Sequence, residues 1–190
     1  MYAYIEAKHT LHLDGTGGQS LAKAVEQVAA VKPLPRPRVP LSRISRHVTV
    51  PGNPSPPAFW PDHWNPMFGM ILARHVRRSA AGAAESSAEL SRVLSARALA
   101  ISGVGSALDV IVAGPDLVSV PVAGTQVESP FLVPGQTLAT CLTSGKSVGA
   151  GLCVLCWAID WITLGSLYWP GILAGALGVP LSRDESEPRP

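Results

Sequence analysis

Cysteine is scarce in this 190-residue chain. The three cysteines, Cys141, Cys153 and Cys156, are odd in number and lie in the C-terminal half, which excludes a disulfide framework. Cys153-x-x-Cys156 is half of a zinc site, yet no second Cys/His pair follows, and a structural zinc needs four ligands. The thiols read instead as buried groups of a reduced compartment, which places the protein in the cytoplasm. An excess of one charge is also missing. Fifteen Lys/Arg against thirteen Asp/Glu leave a net charge of +2, which argues neither for nor against nucleic acid. No signal peptide is visible in the sequence as it stands, because Glu6 and Lys8 stand where an apolar run is needed. Several catalytic signatures are absent. Ser144-Gly-Lys-Ser147 matches the end of a phosphate-binding loop, but Thr140 stands where its first glycine belongs. Gly103-Val-Gly105 would need a third glycine at Leu108 to make a dinucleotide fingerprint. No Gly-x-Ser-x-Gly elbow or His-Glu-x-x-His helix occurs.

Proline, in contrast, is concentrated. Ten of the eighteen prolines fall within residues 33–66, among Arg36, Arg38, Arg43 and Arg46. So long a stretch without a periodic pattern reads as a functional or mobile loop inside one domain of residues 1–182. The basic residues are concentrated too: Lys32 to Arg97 holds ten Lys/Arg and three acids, Asp62, Glu85 and Glu89. Such a run is either a solvated surface or a patch that meets phosphate. His63 lies between Trp60 and Trp64 without a ligand partner, and the two indoles read as anchors for the loop. A non-catalytic scaffold that uses this proline-rich segment is a further reading.

Residues 1–12 read as a strand, and Gln19–Val31 as a helix with Leu21, Val25 and Val28 on one stripe. Pro33 and Pro35 end it. Residues 66–74 read as a buried strand, and 83–100 as an amphipathic helix with Leu90, Val93, Leu94 and Ala98 inward. A strand over 108–113, a turn at Gly114–Asp116 and a strand over 117–122 form a hairpin. This alternation predicts an α/β fold, a mixed sheet flanked by helices.

From Ser147 to Ser182 the one charge is Asp160. Residues 148–168 are long enough to span a bilayer, although Asp160 near the centre costs roughly 2.5–3.5 kcal/mol. The run is thus a helix buried in protein, with Leu152, Cys156, Ile159, Ile162 and Leu167 inward, or the anchor of a small membrane protein with a basic cytoplasmic half. The acidic residues 183–190 read as a disordered tail.

The chemistry-bearing residues stand in the first strand. Side chains on a strand alternate between faces, so Glu6 and Lys8 point the same way and Ile5 and Ala7 the other. A carboxylate beside an ammonium can help hold a divalent cation and position a water, or it is a surface ion pair of little consequence. His9 and His12 face opposite ways on a regular strand and make a poor metal pair.

The strand Tyr4-Ile5-Glu6-Ala7-Lys8, followed by a helix and an apolar strand, resembles the core of the PD-(D/E)XK nuclease superfamily. The elements that follow run parallel to it at Ser20–Val31, Gly69–Ala73, Ala83–Ala100 and Leu108–Val112. The resemblance implies a restriction-endonuclease-like core and Mg²⁺-dependent phosphodiester hydrolysis, with nucleic acid as partner. It implies Glu6 as metal ligand, Glu6 and Lys8 as catalytic residues, and support from Gln19 or Gln27 on the next helix. Arg36, Arg38, Arg43 and Arg46 would contact phosphate. The family's second metal ligand is an Asp on a strand before Glu-x-Lys, and this sequence has none there. The expectation is an N-terminally incomplete domain, from a start further upstream or a truncated gene, that is inactive as it stands.

Overall fold

In a computed structural model, described residues are 2–32, 34, 67–81, 84–103, 108–127, 129–133, 135–163, 175, 177 and 178. They form an α/β fold with five strands and three helices. The strands are β1 (Tyr2–His12), β2 (Met67–Arg77), β3 (Val110–Ala113), β4 (Leu117–Val122) and β5 (Thr137–Leu142). The helices are α1 (Leu21–Val31), α2 (Ser87–Gly103) and α3 (Ser147–Thr163). The sheet runs β1-β2-β3-β4-β5. The strands β1, β2 and β3 pair in parallel, and β4 pairs antiparallel with both β3 and β5, so the sheet is mixed.

Local chemistry sets the helix ends. The Ser20 hydroxyl accepts from the Lys23 amide and caps α1, which begins at Leu21, two residues after the expected start at Gln19. Ser86 and Glu89 form a capping box before α2: the Glu89 amide donates to the Ser86 hydroxyl, and the Ser86 amide to the Glu89 carboxylate. That bonding, led by the Ser86 side chain, holds the Glu89 carboxyl below its usual range.

Two cores sandwich the sheet. On one face α1 and α2 bury Leu21, Ala24, Val28, Leu90, Leu94 and Ala98 against Ile71, Ile111 and Leu117. On the other, α3 packs Ala150, Val154, Trp157 and Ala158 on Met70, Val110, Val112 and Val118. Each leucine, isoleucine, valine or methionine among them contributes about 1.5–3 kcal/mol when fully buried. Phe68 and Phe131 meet edge to face, with centroids 6.1 Å apart.

Three sequence expectations are corrected. The strand β5 carries no clear alternation and was not foreseen; it is a half-exposed edge in which Leu138 alone is fully buried. The helix α3 is rotated from the expected orientation. Leu152, Cys156 and Ile159 face outward, because the small residues Ala150, Gly151 and Ala158 let the helix backbone settle on the sheet. A methyl group on Gly151 would lie 2.4 Å from Val112 Cγ2. The thiols are less buried than expected: Cys141 and Cys153 are half-buried and Cys156 is exposed. Among the described residues no helix is long and apolar enough to cross a membrane. Residues 164–168 of the proposed span, the segment 35–66 and the tail 183–190 lie outside the described residues.

The strands β1 and β2 share an irregularity. Tyr4, Glu6 and Lys8 face α1, and the inward positions then resume at Leu11 and Leu13. On β2 the inward positions run Ile71, Ala73 and then Val76. Both strands slip by one residue at the same level, so their pairing stays in register. The slip turns His9 and His12 to the same side, opposite Leu11 and Leu13, and not to opposite sides as a regular strand would.

Candidate functional site

Glu6 and Lys8 lie under α1 on the inner face of β1. Lys8 Nζ is 2.8 Å from Glu6 Oε1, and the two side chains are 8% and 13% exposed. This is a mostly buried pair, not a solvated surface bridge. The Tyr4 hydroxyl, one step back on the same face, donates to Glu6 Oε2 at 2.7 Å. Lys8 also donates to the Gly18 carbonyl at 2.8 Å and to Gln27 Oε1 at 3.1 Å. An ammonium has three protons, and here each has an acceptor. The glycine-rich turn Gly15–Gly18 brings the carbonyl close, and α1 brings the amide.

Of the two glutamines that the sequence offered as support, Gln27 reaches Lys8. The Gln19 carbonyl instead accepts from the His12 amide and closes the end of β1. Burial pushes the Glu6 carboxyl up, but the hydrogen bonds from Lys8 and Tyr4 and the Lys8 charge outweigh it and hold the group below its usual range. The same bond to Glu6, with burial and the negative charge beside it, pushes the Tyr4 hydroxyl up. The cluster is therefore a fixed anion–cation pair, and Glu6 keeps lone pairs for another donor or a cation.

Whether these residues fit a magnesium ion depends on the carboxylates. Mg²⁺ takes oxygen ligands in octahedral geometry and is usually bound through one or two carboxylates, waters and substrate phosphate. Among the described residues no group of three or more His, Cys, Asp and Glu could hold a metal. Asp109, from the Leu108–Val112 parallel, is fully buried and engaged. Lys32 Nζ donates to both its oxygens, and the Gly69 and Leu132 amides to one each. Asp14 is tied to Arg78 and Arg97, chiefly Arg97, and those guanidiniums hold its carboxyl low. Glu6 is thus alone, and the described residues do not by themselves make a magnesium site.

Among the described residues no strand lies along the outer edge of β1. Among the described residues, β1 pairs with β2 on one side and touches Ser20 only at its far end. Ile5, on the face away from α1, is 41% exposed. Arg36, Arg38, Arg43 and Arg46, and with them Trp60, His63 and Trp64, lie outside the described residues. Sequence reasoning missed Tyr4 as a partner of Glu6; its spacing of two on the same strand was the available signal. No family model, curated protein or solved structure matches this chain.

Proposed function

We propose that this chain is a nuclease-like α/β domain of the PD-(D/E)XK type that engages nucleic acid. The observation that carries the reading is the Glu6–Lys8 pair. It is mostly buried on one strand face, beneath a helix that contributes Gln27, and the next strand runs parallel beside it. The family's restriction-endonuclease-like core has this order of strand, helix and parallel strand. Lys8 is an ammonium fixed beside a carboxylate, suited to stabilise charge on a phosphate once it releases one of its three acceptors. Glu6 supplies one carboxylate oxygen to a cation. A second carboxylate would have to come from a strand laid along the outer edge of β1, where none lies among the described residues, and Mg²⁺ chemistry waits on it. Without that strand the expected activity is binding without cleavage. Arg36, Arg38, Arg43 and Arg46 supply phosphate contacts in this reading, and three unpaired thiols suit the cytoplasm.

The test is fluorescence anisotropy with labelled single- and double-stranded oligonucleotides, followed by cleavage assays with Mg²⁺ and Mn²⁺. Binding that weakens with salt is expected. Absence of binding to every oligonucleotide sinks the reading. Metal-dependent cleavage that survives Glu6→Gln removes Glu6 from its role.

A second reading, a membrane-associated protein, draws on the outer face of α3, where Val148, Leu152 and Ile159 are 47%, 50% and 45% exposed. Flotation with lipid vesicles separates the two: a protein that floats with the vesicles favours the membrane, one left at the bottom the nuclease-like domain.

A further inference from the structure

The strands β1 and β2 outrun their neighbour. β3 pairs with β2 from Met70 to Ala73, and beyond that point β1 and β2 continue as a two-stranded ribbon. Within it Thr10 lies beside His75, and His12 beside Arg77. The ribbon buries Leu11 and rests Val76 on the α1/α2 core. What remains outside is basic. His9, Arg74, His75 and Arg77 are exposed, and His12 is half-buried. The His9 and His75 rings meet edge to face, with centroids 5.1 Å apart.

Among the described residues neither Arg74 nor Arg77 has a carboxylate partner. Among the described residues the carboxylates nearby are committed elsewhere: Asp14 to Arg78 and Arg97, Glu85 to Arg78, and Asp116 to the Ser87 hydroxyl and the Gly145 amide. Two guanidiniums are thus held on rigid strand backbone without a counter-charge among the described residues. A metal cation drawn to the two imidazoles would meet repulsion from both guanidiniums, so the patch favours an anion. Arg74 and Arg77 are three residues apart, about 10 Å along a strand, which suits an extended polyanion better than a single small ion. Guanidiniums contact phosphate oxygens through paired N–H groups, and imidazoles add donors and flat faces on which bases stack.

We propose that the ribbon of residues 9–12 and 74–77 is a docking face for the phosphodiester backbone of nucleic acid, with Arg74 and Arg77 as its phosphate contacts and His9 and His75 beside them. This rests on the nucleic-acid reading above and adds to it phosphate contacts other than Arg36, Arg38, Arg43 and Arg46. The same strand β1 then carries the Glu6–Lys8 pair on its inner face and the docking residues immediately after it.

The experiment measures oligonucleotide binding by anisotropy in EDTA, over a range of salt, for the parent chain, Arg74→Gln/Arg77→Gln, and Arg92→Gln. Arg92 is exposed on α2 and controls for net charge. The double variant is expected to lower the slope of log K against log salt by about 1.4–1.8, and to weaken binding about tenfold at low salt. His9→Ala/His75→Ala should weaken binding without a comparable change in slope. A double arginine variant that binds like the parent overturns the proposal, as does an equal per-charge effect from Arg92→Gln. Because no metal is present, these outcomes are independent of cleavage. A lost salt slope with no cleavage under any condition upholds the docking face alone. An unchanged slope with Glu6-dependent cleavage upholds the nuclease-like site alone.

Discussion

Lys32 Nζ donates to both carboxylate oxygens of Asp109, at 2.9 Å each, across 77 positions of the chain. The pair ties the end of α1 to the residue that opens β3. The Gly69 and Leu132 amides complete the set around Asp109, so one side chain joins α1, β2, β3 and the 129–133 segment. Burial pushes the Asp109 carboxyl up, against the pull of the Lys32 charge and of the amides. All four bonds need an acceptor, so Asp109→Asn turns an N–H group toward donors and removes the negative charge that Lys32 faces. Removing one partner of a buried pair costs roughly 3–5 kcal/mol, and the loss here should reach about 3 because Lys32 is partly exposed. Urea unfolding of the variant against the parent checks it.

The carboxyl of Glu6 makes a pH prediction. Its folded-state pKa is held below the ordinary value, so its contribution to stability is complete above about pH 4.3. That contribution is lost as the pH falls through the lower folded-state value. The stability gap between parent and Glu6→Gln should therefore narrow on acidification below that point. Chemical denaturation at a series of pH values measures the gap, and one that widens on acidification is the wrong sign.

Gly151 and Gly149 lie two residues apart on α3 and should behave oppositely. A methyl at Gly151 meets Val112 at 2.4 Å and Met70 at 3.0 Å, while one at Gly149 meets nothing within 4 Å. Overpacking a well-filled interface costs about 1–3 kcal/mol, so Gly151→Ala should destabilise by that amount. Gly149→Ala should stabilise by up to about 1 kcal/mol, since alanine is the better helix former. Thermal melts of the two variants provide the comparison.

Gln27 should be coupled to Lys8. A double-mutant cycle of Gln27→Leu and Lys8→Met is expected to give an interaction of about 0.5–1.5 kcal/mol, the usual worth of a partly buried hydrogen bond. Additive effects would place Gln27 outside the cluster.

Much of this fold was legible in the sequence because the patterns were local. The stripe on α1, the apolar run of β2, the Glu-and-Arg helix α2 and the β3–β4 turn each carry their own periodicity. The strand β5 was hidden because, at the sheet's edge and under α2, it buries one leucine and needs no alternation. The rotation of α3 was hidden because apolar residues surround the helix, and the glycine that decides its contact face lacks a side chain to signal it. At the site, the shared face of Glu6 and Lys8 followed from strand period alone. Their burial, and the reach of Gly18 and Gln27, needed the turn and the helix to be in place.

The shared slip of β1 and β2 couples these two strands in a way that no single contact does. Inserting or deleting one residue in the first strand alone would turn Leu11 outward while Val76 stayed inside, and the mismatch would split the ribbon from its core. A matching change in the second strand restores both. Length variation here must come in pairs, separated by some sixty positions of chain, so the ribbon can change its length only by a coordinated double step while the neighbouring loops change theirs one residue at a time.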